Sequence, residues 1–158
     1  MKILGIDPGT ATTGFGLITK EGPKLTKLDC GVISTAKDLE MSERLNILYK
    51  DLQQIIKSHK PDAMAVEKLF FTNNITTAMT VSQARGIVLL VASQNNIPIA
   101  EYTPLQVKMS ATGYGKATKK QVQEMVKKIL KLSVIPKPDD AADALAIAIC
   151  HSANVVKK

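Results

Sequence analysis

Four acidic residues, Asp7, Glu67, Asp140 and Asp143, each border sequence suited to a protein core. Ile3-Leu4-Gly5-Ile6 precedes Asp7, Ala63-Met64-Ala65-Val66 precedes Glu67, and Ala144 to Ile149 follows Asp143. Acids at a core edge need compensation. Two unit negative charges about 4 Å apart repel by roughly 4 kcal/mol at an effective dielectric near 20. Hard oxygen ligands favour Mg²⁺, or Mn²⁺ as a substitute, and the chemistry such a centre performs is phosphoryl transfer. Two ions held about 3.5–4 Å apart activate water at one side and stabilise a phosphodiester leaving oxygen at the other. That scheme needs no histidine. His59 and His151 fall in no liganding pattern and are expected to be structural or surface residues.

The elements that must position these acids follow from apolar periodicity. Lys2 to Asp7 predicts a first strand, Pro8-Gly9-Thr10 a turn, Thr13 to Lys20 a second strand, and Lys24 to Ser34 a third, paired antiparallel. Leu45, Leu48, Leu52, Ile55 and Ile56 predict a helix from Ser42, its expected cap, to Ser58. Asp62 to Glu67 predicts a fully apolar strand parallel to the first, so that Glu67 stands beside Asp7. Asn73 or Asn74 caps a long helix to Asn95, and its Ile87–Ala92 segment, apolar all round, requires burial by the core or by a second subunit. A fifth strand over Ile97–Tyr102 and helices over Thr103–Ala111, Thr118–Leu132 and up to Ser152 complete the chain. The pattern predicts an α/β fold, a mixed sheet of about five strands with helices on both faces, over residues 1–158 as a single domain.

An aspartate in a turn like that at Asp7 commonly bonds its own backbone; a neighbouring Glu67 favours a ligand role instead. Gly5 is expected to let a ligand approach. Asp140 and Asp143, three apart, share one helical face, whereas Asp139 is expected to cap the helix.

Charge adds a substrate class. The net charge is +7, and Arg44 and Arg85 are the only arginines. Between Tyr102 and Pro138, Lys108, Lys116, Lys119, Lys120, Lys127, Lys128, Lys131 and Lys137 are opposed by Glu124 alone. Lys127, Lys128 and Lys131 read as a solvated helix face, while the loop lysines suggest a polyanion bound outside a cationic centre. The uninterrupted apolar run Gly86–Ser93 is too short to span a bilayer. No signal peptide is read at the start, and Cys30 and Cys150 suggest neither a metal site nor a disulfide framework, so a cytoplasmic location is expected. Phe70 and Phe71 stand together after Glu67, and one of the two is expected to project, positioned to stack on bases.

In order, Gly5-Ile6-Asp7-Pro8-Gly9, Val66-Glu67 with Phe70, Gln83-Ala84-Arg85-Gly86, Gln106-Val107-Lys108, Lys119 with Gln121-Val122, and Asp140-Ala141-Ala142-Asp143-Ala144-Leu145-Ala146 resemble the RuvC-type Holliday-junction resolvases. The resemblance runs nearly the whole length. It implies an RNase H-like fold and an endodeoxyribonuclease of recombination and repair. In it Asp7, Glu67, Asp140 and Asp143 hold two Mg²⁺ ions, Lys108 and Lys119 lie near the scissile phosphate, and Phe70 stacks in the opened junction. It also implies a homodimer built on the Asn74–Asn95 helix that makes symmetric nicks across four-way junction DNA. Those nicks leave 5′-phosphate and 3′-hydroxyl ends, and the enzyme works with a branch-migration complex of RuvA and RuvB. Lys68 replaces the family's usual glutamine and is expected to point away from Glu67.

Two other classes compete. An actin- or sugar-kinase-like ATP-binding fold also uses an Asp-x-Gly-Thr turn, but needs a second phosphate loop. A noncatalytic junction binder would not need the acids.

Overall fold

The computed structural model describes residues 1–9, 11–68 and 74–155. Its elements run β1 (Lys2–Asp7), β2 (Thr12–Glu21), β3 (Lys24–Ser34), α1 (Met41–His59), β4 (Ala63–Glu67), α2 (Ile75–Gln94), β5 (Ile99–Tyr102), α3 (Pro104–Thr112), α4 (Lys119–Ile129) and α5 (Asp139–Asn154). The five strands form one sheet in the order β3-β2-β1-β4-β5. The hairpin-linked β1, β2 and β3 pair antiparallel, while β4 lies parallel to both β1 and β5. This is the mixed α/β sheet expected.

Period-two alternation sends the strand residues to two different cores. Leu4, Ile6, Leu17, Met64 and Val66 pack against Leu48, Leu52 and Ile56 of α1 and Ala84, Val88 and Val91 of α2. On the opposite face Ile3, Ile18 and Ala65 pack against α5, with Val107 of α3 and Val122 and Val126 of α4 around it.

Most element boundaries fall where the apolar spacing put them, and the departures have local causes. β5 begins at Ile99 because Pro98 has no N–H to donate, although its carbonyl accepts from the Met64 N–H at 2.9 Å. Helix α1 starts one residue earlier than expected, with Glu40 and not Ser42 at the cap. There the Glu43 carboxylate, three residues on, accepts from the Glu40 N–H at 3.1 Å. Helix α4 stops at Ile129, and Lys131 beyond it takes a left-handed φ of 53°. Asn74 does cap α2, accepting from the Thr77 N–H at 3.2 Å.

Helix α2 departs from the bilayer expectation. By length and composition it is apolar enough to cross a membrane, which the count of uninterrupted apolar residues overlooked. Arg85 at its middle is ion-paired with Glu101 of β5, so the helix is docked on the sheet. Val88, Val91 and Ala92 face that core, but Ile75, Met79 and Leu90 are exposed, at 70%, 62% and 47%. The core of this chain therefore buries only one side of the apolar segment.

Candidate active site

Strand geometry brings the first two acids together. β1 and β4 are parallel with Ile6 opposite Val66, so Asp7 and Glu67 stand side by side at the same end of the sheet. Alternation along β1 turns Ile3, Gly5 and Asp7 to the α5 face. Helix α5 can cross there because the strands beneath it lack side chains. A Cβ at Gly5 would strike the Ala144 carbonyl, one at Gly14 the Asp140 carbonyl, and one at Gly16 the Leu145 backbone. Gly5 thus admits a helix and not a ligand, correcting the expectation from sequence. Being two residues deeper than Asp7, it lies beneath the body of α5. Asp7 emerges at the start of the helix, where Asp140 and Asp143 project.

One carboxylate oxygen from each of Asp7, Asp140 and Asp143 lies within 4.8 Å of the others. Glu67 does not join that trio. It lines the same cleft of about 210 Å³ as Asp7, Lys108, Lys119 and Asp143, and it feels the charges of Asp143 and Lys108. The Lys119 ammonium sits 2.9 Å from Asp143 Oδ2. Thr12 donates its hydroxyl to Asp140 Oδ2 at 2.7 Å.

The electrostatics are those of an under-compensated acidic cluster. Burial, then the charges of Glu67, Asp143 and Asp140, push the Asp7 carboxyl up to about 7, against a smaller pull from Lys119. Burial also raises Glu67, helped by Asp143 and opposed by Lys108 and Lys119. Asp143 is raised by burial despite its hydrogen bond from Lys119. Lys119 in turn is raised, chiefly by that bond. Three neighbouring carboxyls all resist ionisation here, so the site lacks positive charge. Its donors are all oxygens, which fits a hard divalent cation.

The remaining expectations divide. His59 pairs with Asp29 at 3.0 Å, and His151 Nδ1 bonds the Tyr102 hydroxyl at 2.8 Å, so both are structural. Asp139 is not the cap. Pro138 occupies that position, and Asp139 is the first helical residue, paired with Lys137 at 2.7 Å. Lys68 is exposed one residue past β4. Phe70 and Phe71 lie outside the described residues. Two features escaped sequence reasoning: the Thr12 hydroxyl on Asp140, and the Arg85–Glu101 pair across α2 and β5. No spacing rule links partners 128 residues apart, as Thr12 and Asp140 are.

Comparison with known proteins agrees with this geometry. The family model described as crossover junction endodeoxyribonuclease RuvC matches residues 3–151. The chain is 56% identical to the crossover junction endodeoxyribonuclease RuvC of Syntrophomonas wolfei over 151 residues, covering 96% of this chain and 88% of that protein. Its identity to the RuvC of Fusobacterium nucleatum is also 56%, covering 96% and 80%. Among solved structures, RuvC of T. thermophilus in complex with a Holliday junction substrate superposes with a TM-score of 0.88 at 34% identity, covering 96% of this chain and 93% of that one. An actin-like nucleotide-binding role is thereby set aside, and the chain belongs to the RuvC family of crossover junction endodeoxyribonucleases.

Proposed function

We propose that this protein resolves four-way DNA junctions by paired symmetric nicks, using two Mg²⁺ ions held by Asp7, Glu67, Asp140 and Asp143, with Mn²⁺ as a substitute. The observation that carries the reading is the convergence of three carboxylates within 4.8 Å, beside Lys108 and Lys119, in a chain of the RuvC family. When bound, the ions supply an activated water and stabilise the departing 3′-oxygen, leaving 5′-phosphate and 3′-hydroxyl ends. The chain's own residues do the rest. Lys108 and Lys119 flank the cleft and attract the phosphodiester backbone. Asp7 must give up its proton before it can ligate, so cleft occupancy by metal competes with protonation near neutral pH. Phe70 takes the role of stacking on an unpaired base at the junction centre.

A single domain over 1–158 would carry this chemistry, and two copies would supply the two nicks. Helix α2 supports that assembly. Ile75, Met79 and Leu90 lie on one exposed stripe, and Gly86 between them leaves open space above it, allowing a second helix to come close. The further partners are RuvA and RuvB, and the compartment is the cytoplasm, in keeping with free thiols at Cys30 and Cys150. The test is a nicking assay on synthetic four-way junctions with Mg²⁺. Symmetric, ligatable nicks in opposite strands are expected, and their absence under conditions where the protein binds the junction would refute the reading.

A further inference from the structure

Thr12 stands at the start of β2, paired with Ser34 in the sheet, and is distant in sequence from all four acids except Asp7. Its Oγ1 donates to Asp140 Oδ2 at 2.7 Å in a half-buried setting. Gly14, on the same face of β2 two residues on, receives the Asp140 carbonyl where a side chain would otherwise stand. One short piece of strand therefore grips both the main chain and the carboxylate of the same residue.

We propose that Thr12 is a positioning residue, which fixes the Asp140 carboxylate in the orientation that binds the divalent ion. The inference rests on the metal reading of the cleft proposed above. A carboxylate offers about four lone-pair sites over two oxygens, so Oδ2 can accept from Thr12 while Oδ1 remains available as a ligand. Asp140 occupies the first turn of α5, where its side chain would otherwise be free to swing toward solvent. The hydroxyl removes that freedom. Partners of this kind around metal ligands change affinity or activity by about 10–100-fold when removed.

The experiment is a Mn²⁺ titration of the full-length protein without DNA, reading free Mn²⁺ by electron paramagnetic resonance. T12V keeps the β-branched shape that suits a strand and loses only the hydroxyl. Its Mn²⁺ affinity is expected to fall by about 10-fold or more, while T12S, which restores the donor, stays at the wild-type value. Equal affinity for T12V and wild type overturns the proposal, and a lowered unfolding midpoint in EDTA would then assign Thr12 a purely structural role. Should T12V not fold, T12A supplies the same comparison. If wild type itself takes up no Mn²⁺, the metal reading fails and this inference goes with it.

Discussion

The two faces of the sheet are built from different materials. Toward α1 and α2 the strands offer Leu4, Ile6, Leu17, Met64 and Val66, met by Leu52, Val88 and Val91, all fully buried. Toward α5 they offer Ile3, Ile18 and Ala65, but also Gly5, Gly14 and Gly16, which lie directly against Ala144 and Ala148, Asp140 and Leu145. Large aliphatic side chains each contribute about 1.5–3 kcal/mol on burial, and they tolerate volume-conserving exchange. Backbone packed on backbone has no such slack. Both faces bury apolar side chains, but the close backbone contacts on the second fix where α5 starts, and with it where Asp140 and Asp143 meet Asp7.

Substitutions on each face can break that division. The largest effect is expected from Asp7→Asn, which should abolish junction nicking while leaving junction binding largely intact. The same variant has a stability signature in metal-free protein. Asp7 titrates at about 7 when folded, against an ordinary value of 3.8, so the folded state holds the extra proton between these values. Stability should fall as pH rises through that window. At pH 8 the asparagine variant should be more stable than wild type by on the order of 2–4 kcal/mol. Urea unfolding in EDTA at pH 4 and pH 8 checks this, and parallel pH profiles for the two proteins would refute the burial argument.

Leu52→Ala, on the aliphatic face, should cost about 2–5 kcal/mol in urea unfolding and leave Mn²⁺ affinity unchanged. Gly5→Ala should cost at least as much, because its methyl would overlap the Ala144 carbonyl of the α5 backbone, and should also weaken Mn²⁺ binding because it displaces α5. Equal loss of metal affinity in both variants would erase the distinction between the faces. The smallest effect belongs to Lys119→Ala. It should reduce the slope of log affinity against log salt for junction DNA by about 0.9 per lost phosphate contact. A slope equal to wild type would leave Lys119 only as the counter-ion of Asp143.

How far these features were legible in the sequence depended on the range of the interactions. Asp7 and Glu67 were readable because each ends a short apolar strand, and a parallel neighbour needs only a crossover helix. Asp140 and Asp143 were readable from their three-residue spacing and the alanines after them. What periodicity could not show was contact between distant segments. Gly5 read as a ligand position until α5 was seen to lie on it, and Gly14 and Gly16 carried no reading at all. The Thr12–Asp140 bond, the Arg85–Glu101 pair and the separation of Glu67 from the aspartate trio have the same origin. The caps of α1 and α5 were missed for a different reason: Glu40 and Pro138 took positions that short polar side chains usually hold, so preference alone misassigned Ser42 and Asp139.

The order in which the acids are synthesised has its own consequence. Asp7 and Glu67 leave the ribosome long before α5, whose two aspartates complete the constellation. A nascent polypeptide therefore carries Asp7 and Glu67 for close to half of translation without the two aspartates of α5. The aspartate trio comes together only when the last described helix settles into its glycine bed.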